Sequence, residues 1–311
     1  MINTELKEIV SEQPIFQLTW TINNICTNHC RYCPSMLHNG KNHHYDWSHA
    51  ERFALEIMQA KPRIQLSIAG GEPTVSPFLK DLVRLFTDRG HTVIITSNGV
   101  RSGSYWDDCK PDYLCLSYHA EFDDGQWIKR AIDTQKRVPI TVARIMMDPK
   151  YWDQCVDTYK FLSKTDLGVE AVRILDWGTR AKITYTAEQL DWLHRAEFKQ
   201  TVAVKGADLH SATAVYFDGT TISSEVPWAN TLINQKKNYF TGWQCDIGLH
   251  SLFVQFDGSY RRGNCRQGDY IGWIQDKPKL PTDSVICELD HCHCTADVIV
   301  PKRLIPIVAR Q

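Results

Sequence analysis

Eight of the eleven cysteines in this chain fall into two groups. Cys26, Cys30 and Cys33 stand in the run CTNHCRYC, spaced C-x3-C-x2-C. Three thiolates on one short loop can hold three irons of a [4Fe–4S] cube and leave the fourth iron with an open position. A purely structural metal site would be closed by a fourth ligand. Toward the other end come Cys245, Cys265, Cys287, Cys292 and Cys294. Five thiols supply a closed four-ligand site with one to spare, and spacing alone leaves open which of Cys287, Cys292 and Cys294 that is. Zinc is the rival occupant, because His291 and His293 flank Cys292 and could complete a tetrahedral S/N site. Cys109, Cys115 and Cys155 stand apart, and isolated free cysteines are mostly small buried hydrophobes.

Two short runs add polar chemistry. In Gly70, Gly71, Glu72 and Pro73 the glycines let backbone approach a ligand closely, and a carboxylate can receive an ammonium. Thr96, Ser97, Asn98 and Gly99 form a second turn of this kind. Cys115, Ser117 and His119 alternate, so on a strand they share one face.

Elements must position these groups. Residues 17–22 alternate polar and apolar and read as a strand. Further strands are expected at 64–69, 92–96, 113–117, 140–144 and 169–174, with helices near 47–60, 77–89, 125–136, 152–163 and 187–199. Pro77 in a first turn and Gly90 just past an end match the usual helix asymmetry. The cysteine loop and both polar turns each follow a strand. Six βα units in series predict an α/β fold with a parallel sheet, open or curled into a partial barrel. In α/β barrels the active site gathers at the C-terminal strand ends. Near residue 200 the pattern changes. Asp218-Gly219 and Asp257-Gly258 mark hairpin turns, and residues 245–302 are rich in Cys, Gly and Pro. So small a region needs a staple, which a metal site would supply. The expected organisation is an N-terminal segment 1–16, a barrel 17–200 and a C-terminal domain 201–311.

The cysteine loop, with the aromatic Tyr32 ahead of its last cysteine, resembles the C-x3-C-x-aromatic-C loop that defines the radical S-adenosylmethionine (SAM) superfamily. The resemblance implies a partial (β/α)6 barrel and a [4Fe–4S] cluster on Cys26, Cys30 and Cys33 whose open iron chelates SAM. Electron donation to SAM would then give methionine and a 5′-deoxyadenosyl radical that removes a substrate hydrogen. Gly70, Gly71, Glu72 and Pro73 resemble the family's GGE motif, which meets the SAM amino group. Ser97 and Asn98 resemble its TNG turn. Ser117 and Arg144 match positions that contact SAM ribose and carboxylate, and Tyr32 matches the adenine contact. Residues 172–174 lack the family's glycine-rich variant. Cys245 and Cys265 clamp an expected hairpin (251–254 and 260–262), and more cysteines return later. That arrangement resembles the auxiliary-cluster extension called twitch, the shorter relative of SPASM. It implies a second [4Fe–4S] cluster on four of the five C-terminal cysteines. A flavodoxin- or ferredoxin-type protein would be the electron donor.

Composition bounds the partners. The 311 residues are 43% hydrophobic and 23% charged with a formal net charge of -1, so no overall field favours nucleic acid or acidic lipid. The first residues lack the apolar core of a secretory signal, and no 18-residue apolar run exists. A cytoplasmic protein, with grouped cysteines kept reduced as metal ligands, is expected. The substrate expected is a peptide or small molecule, oxidised or crosslinked with help from the auxiliary cluster. About sixteen residues precede the first strand, so no leader-binding domain is expected ahead of the barrel. The alternatives are an epimerase, with Cys115 or the spare C-terminal cysteine returning hydrogen to the substrate radical, and a non-catalytic Fe–S or zinc protein.

Overall fold

The computed structural model describes residues 6–11, 15–41, 45–138, 140–175, 182–196, 211–224, 229, 232–233 and 235–305. Two compact units divide the chain: Trp20–His44 with Leu66–Asp208, and Met1–Thr19 with Tyr45–Gln65 and Leu209–Gln311. β1 (Leu6–Ser11) lies in the second of these units.

The first unit is the expected α/β partial barrel. Its strands are β2 (Phe16–Thr21), β3 (Ile64–Ala69), β4 (Thr92–Ser97), β5 (Tyr113–Tyr118), β6 (Thr141–Met146) and β7 (Gly168–Val172), neighbours in that order. The unit boundary falls inside β2 and β3. Strands β4 to β7 pair in parallel. Every residue of β5 is buried, as expected of a parallel strand covered on both faces. The covering helices follow from apolar spacing. Leu79, Leu82, Val83 and Phe86 are the buried face of α2 (Leu79–Thr87), given that α1 is Trp47–Ala60. Then come α3 (Tyr105–Cys109), α4 (Trp127–Gln135), α5 (Trp152–Leu162) and α6 (Ala187–Arg195). A reciprocal capping box starts α6, with Thr186 accepting from Gln189 N–H and the Gln189 side chain reaching back. The expected continuation of this helix over 197–199 lies outside the described residues.

The second unit is more extensively β than the Cys-, Gly- and Pro-rich sequence suggests. Its strands are β8 (Ala212–Tyr216), β9 (Thr221–Ser224), β10 (Trp243–Cys245), β11 (Ser251–Val254), β12 (Ser259–Arg261), β13 (Tyr270–Trp273), β14 (Val285–Ile286) and β15 (Lys302–Leu304). One sheet runs β14-β10-β15-β1-β8-β9 with antiparallel pairing, and β13-β12-β11 follow one another beside the start of β2. Both Asp-Gly hairpins form. Gly219 (φ 85) and Gly258 (φ 92) take the left-handed turn conformation that glycine tolerates. The core of this unit includes α1, whose Phe53 packs against Tyr260 with ring centroids 5.1 Å apart. Strands of two to four residues are too short to show alternation, which hid β10 and β13 to β15 from the sequence pattern. Among the described residues no helix is long and apolar enough to cross a membrane.

Candidate active site and a second thiol site

The loop carrying Cys26, Cys30 and Cys33 leaves the end of β2 and is held by residues that follow the other strands. Asn23 starts the anchoring. Its Oδ1 accepts from Ile25 N–H and its Nδ2 donates to Glu72 O, both at 2.9 Å. Gly71 N–H then donates to Asn23 O at 2.9 Å and Glu72 N–H to Ile25 O at 2.7 Å. The two glycines are required by this approach. A Cβ on Gly70 would lie 2.6 Å from Asn23 O, and one on Gly71 would lie 2.2 Å from Ile25 O. Those are backbone atoms, so an alanine must displace the loop. Gly71→Ala is therefore expected to cost about 1–3 kcal/mol, seen as a lower urea midpoint together with reduced iron retention after reconstitution.

Glu72 is buried (1% exposed) and its carboxylate accepts three donors. They are Ser97 Oγ at 2.9 Å, Thr74 N–H at 3.1 Å and Asn98 N–H at 2.8 Å. Glu72 thus ties the end of β3 to the end of β4. Asn98 continues toward the loop, donating from Nδ2 to Thr27 Oγ1 at 2.8 Å with Cys26 Sγ at 4.0 Å. From the end of β5, Nδ1 of His119 shares a hydrogen bond with Tyr32 Oη (2.6 Å) and lies 3.5 Å from Cys30 Sγ. Burial pushes His119 down to about 4, so the ring is neutral. Glu121 accepts from Arg31 N–H at 3.2 Å. Beyond β6, Asp148 receives the Arg31 guanidinium through Nε (3.1 Å) and Nη2. Ile174, just past β7, packs with Cys30, Tyr32 and Cys33.

These contacts bring together Cys26, Cys30, Cys33, Tyr32, Gly70, Gly71, Glu72, Ser97 and Asn98, with Pro73 following Glu72 at the start of a short turn. Arg31, His119, Glu121, Asp148 and Ile174 complete the arrangement. Of these, the sequence marked His119 only by its alternation with Cys115 and Ser117, and nothing in the local pattern marked Asp148. Ser117 and Arg144 lie side by side across β5 and β6, and Glu170 follows across β7. Arg144 Nε donates to Glu170 Oε2 at 3.0 Å, so its guanidinium is already engaged by a carboxylate. Cys115, on the same strand face as Ser117, has no exposed surface and lies next to the buried Tyr113.

Three thiols on one loop form an acceptor for cationic iron. Burial, followed by the neighbouring Cys33 and Cys26, pushes Cys30 up to about 12, and burial also raises Cys26. Binding iron would release these protons and neutralise the mutual repulsion of the thiolates.

The second thiol group lies wholly in the other unit. Cys245, Cys265, Cys287 and Cys292 line one pocket with Phe240, Asp297 and Lys302. Backbone pairing fixes three of them. Cys245 ends β10, Cys287 N–H donates to Trp243 O at 2.8 Å, and Cys292 N–H donates to Asn238 O at 2.8 Å. Cys265 N–H donates to Asp297 Oδ2 at 2.6 Å. Burial raises all four thiols. Cys294 is not among the residues lining the pocket. It is the N-cap of the short helix Thr295–Val298, its thiol bonds Asn264, and burial pushes it up to about 12. Neither His291 nor His293 is among the residues lining the pocket; their rings stack edge-on with centroids 4.5 Å apart. Among the described residues no three His, Cys, Asp or Glu side chains are placed to hold a single metal ion.

Comparison with known proteins adds a family. Residues 20–167 match the family model of the Radical SAM superfamily. Among solved structures the chain is similar to SuiB of Streptococcus suis bound to S-adenosylmethionine, with TM-score 0.53 and 13% identity over 84% of this chain and 64% of that one. It is also similar to native anSMEcpe with bound AdoMet and the Kp18Cys peptide, with TM-score 0.53 and 15% identity over 85% of this chain and 78% of that one. SuiB bound to its precursor peptide SuiA matches with TM-score 0.51 and 13% identity, over 80% of this chain and 59% of that one. At such identities the likeness is one of fold, and the chain spans less than two thirds of the SuiB chains. No curated protein matches the sequence.

Proposed function

Because residues 20–167 match the family model of the Radical SAM superfamily, we propose that this chain is an enzyme that cleaves SAM reductively and uses the radical to take hydrogen from its substrate. Cys26, Cys30 and Cys33 would hold the [4Fe–4S] cluster. The observation that carries this reading is the anchoring of their loop by residues at the ends of β3, β4, β5 and β6. Bound there, the cluster and SAM together supply the electron transfer and the 5′-deoxyadenosyl radical. The protein's own part is placement. Gly70 and Gly71 let the loop seat against the β3 end, and Glu72 locks β3 to β4. His119 and Tyr32 hold the Cys30 side, and the Arg31–Asp148 pair keeps the loop from lifting.

Cys245, Cys265, Cys287 and Cys292 would hold an auxiliary [4Fe–4S] cluster. An all-sulfur set suits that group, since soft thiolates select iron–sulfur clusters as well as zinc. A peptide substrate is favoured over a small metabolite, because two of the structures similar in fold contain peptides. Exposed Ile25, Val100 and Phe122, on the loops after β2, β4 and β5, give apolar contacts of the kind a peptide or a flavodoxin- or ferredoxin-type donor could use. Oxidation or crosslinking is the reaction proposed.

The test is SAM turnover by the full chain, purified and reconstituted without oxygen and then chemically reduced. 5′-Deoxyadenosine separated by chromatography is the expected product. A reconstituted chain that fails to bind SAM would overturn the proposal.

A further inference from the structure

Lys302 and Asp297 are buried ionisable groups for which the SAM chemistry has no use. Lys302 lies opposite Cys245 in the β10–β15 pairing and is 4% exposed. Its ammonium donates to two backbone carbonyls, Asp297 O at 2.7 Å and Val298 O at 2.8 Å, and lies 4.6 Å from the centre of the Phe240 ring. A buried cation is unfavourable unless an anion answers it. The pocket that Lys302 lines holds four thiols, and its charge acts on Cys245, Cys287 and Cys292 in the direction that favours their thiolates. Asp297, also 4% exposed, works the other way: its carboxylate accepts from Cys265 N–H at 2.6 Å and its charge acts against the thiolates of Cys245, Cys265, Cys292 and Cys294. Burial raises its own pKa against the lowering pull of Cys265 N–H and Lys302. Among the described residues Glu288, which is exposed, also acts on Cys287.

We infer that this opposed pair sets how readily the four-thiol site takes up an electron, with Lys302 stabilising the reduced state of a bound cluster and Asp297 opposing it. The inference rests on the auxiliary-cluster reading above. Reduction adds one negative charge to a group that four thiolates already make anionic. A fixed ammonium in the pocket wall, held by carbonyls and shielded from water, lowers the free energy of that added charge. Burial, nearby charge and hydrogen bonds to the ligands are the levers by which a protein tunes such a centre.

The test uses the full chain with Cys26, Cys30 and Cys33 replaced by alanine, so that only the C-terminal site reports. After anaerobic reconstitution, iron is counted and the midpoint potential is read by electron paramagnetic resonance during titration with a chemical reductant, which supplies the electron. Lys302→Met should shift the potential negative, Lys302→Arg should return it toward the parent value, and Asp297→Asn should shift it positive. Shifts of the same sign for Lys302→Met and Asp297→Asn, or no shift in chains that keep about four irons, would overturn the inference alone. If Lys302→Met fails to hold iron, Asp297→Asn still decides, since a potential that stays put or falls overturns the inference. A parent chain without C-terminal iron would overturn the auxiliary-cluster reading and this inference with it.

Discussion

Replacing Cys26, Cys30 and Cys33 together with alanine is expected to abolish 5′-deoxyadenosine formation while about four irons per chain remain bound. The size of the effect follows from what the loop would provide. Enzymatic rate enhancements start near 10⁶, and here the whole of it depends on electron delivery to bound SAM. The nucleoside should therefore fall by at least about a thousandfold, to the background of reductant and SAM without protein. A variant that had merely unfolded would give the same loss of product, so retained iron is the internal control. The two thiol groups lie in separate compact units, and among the described residues every one lining the C-terminal pocket belongs to the second unit. A protein that keeps about four irons, unfolds cooperatively at a temperature near that of the parent and makes no nucleoside locates the chemistry at the loop. Undiminished nucleoside from the triple variant would refute the assignment of the cluster to these thiols.

The positions of β2 to β7 and of α1 were legible because each rests on a local pattern. The strand at 64–69 and helix Trp47–Ala60 fall where periodicity placed them. The turns after β3 and β4 stood out as short glycine-bearing polar runs that each follow a strand, although Gly70-Gly71-Glu72-Pro73 alone would read equally well as a plain turn. What pins the cysteine loop was not legible, because its partners are remote in the chain. Arg31 meets Asp148 across 117 residues, and Tyr32 meets His119 across 87. An aspartate two residues beyond a strand reads as a turn residue or helix cap, and Asp148 does cap the next turn by accepting from Lys150 N–H at 2.9 Å. Its second role as the counter-charge of Arg31 exists only in the fold. Arg144 shows the opposite limit. Its position on β6 was readable, while its pairing with Glu170 depends on register between strands 26 residues apart.

The same limit governs the C-terminal thiols. Five cysteines gave a count without a choice, since Cys292 and Cys294 lie two apart and on a regular strand would share a face. Of the two, Cys292 is among the residues lining the pocket. Asn238 grips Cys292 from both sides, accepting its N–H at 2.8 Å and donating from Nδ2 to its carbonyl at 2.6 Å. Two residues later the chain begins a helix with Cys294 as its cap. One thiol is left in the pocket and the other against Asn264.

Single serine substitutions should therefore sort the five cysteines into four and one. Cys245→Ser, Cys265→Ser, Cys287→Ser and Cys292→Ser are each expected to lower iron from about eight to about four per chain, whereas Cys294→Ser should leave it near eight. The expectation is sharp because Cys292 and Cys294 are so close in sequence that general disturbance of the segment would affect both variants. Cluster assembly is also tied to local folding. The pocket belongs to a region of strands two to four residues long, and a bound centre supplies stability that so small a core lacks. The four ligand variants should accordingly lose protection from proteolysis over 245–302, and Cys294→Ser should not. Metal analysis decides between occupants in the same experiment. Zinc at about one per chain with iron unchanged at about four would keep the SAM cluster and give the second site to zinc. Full iron in Cys292→Ser with loss in Cys294→Ser would reverse the ligand assignment made from the pocket geometry.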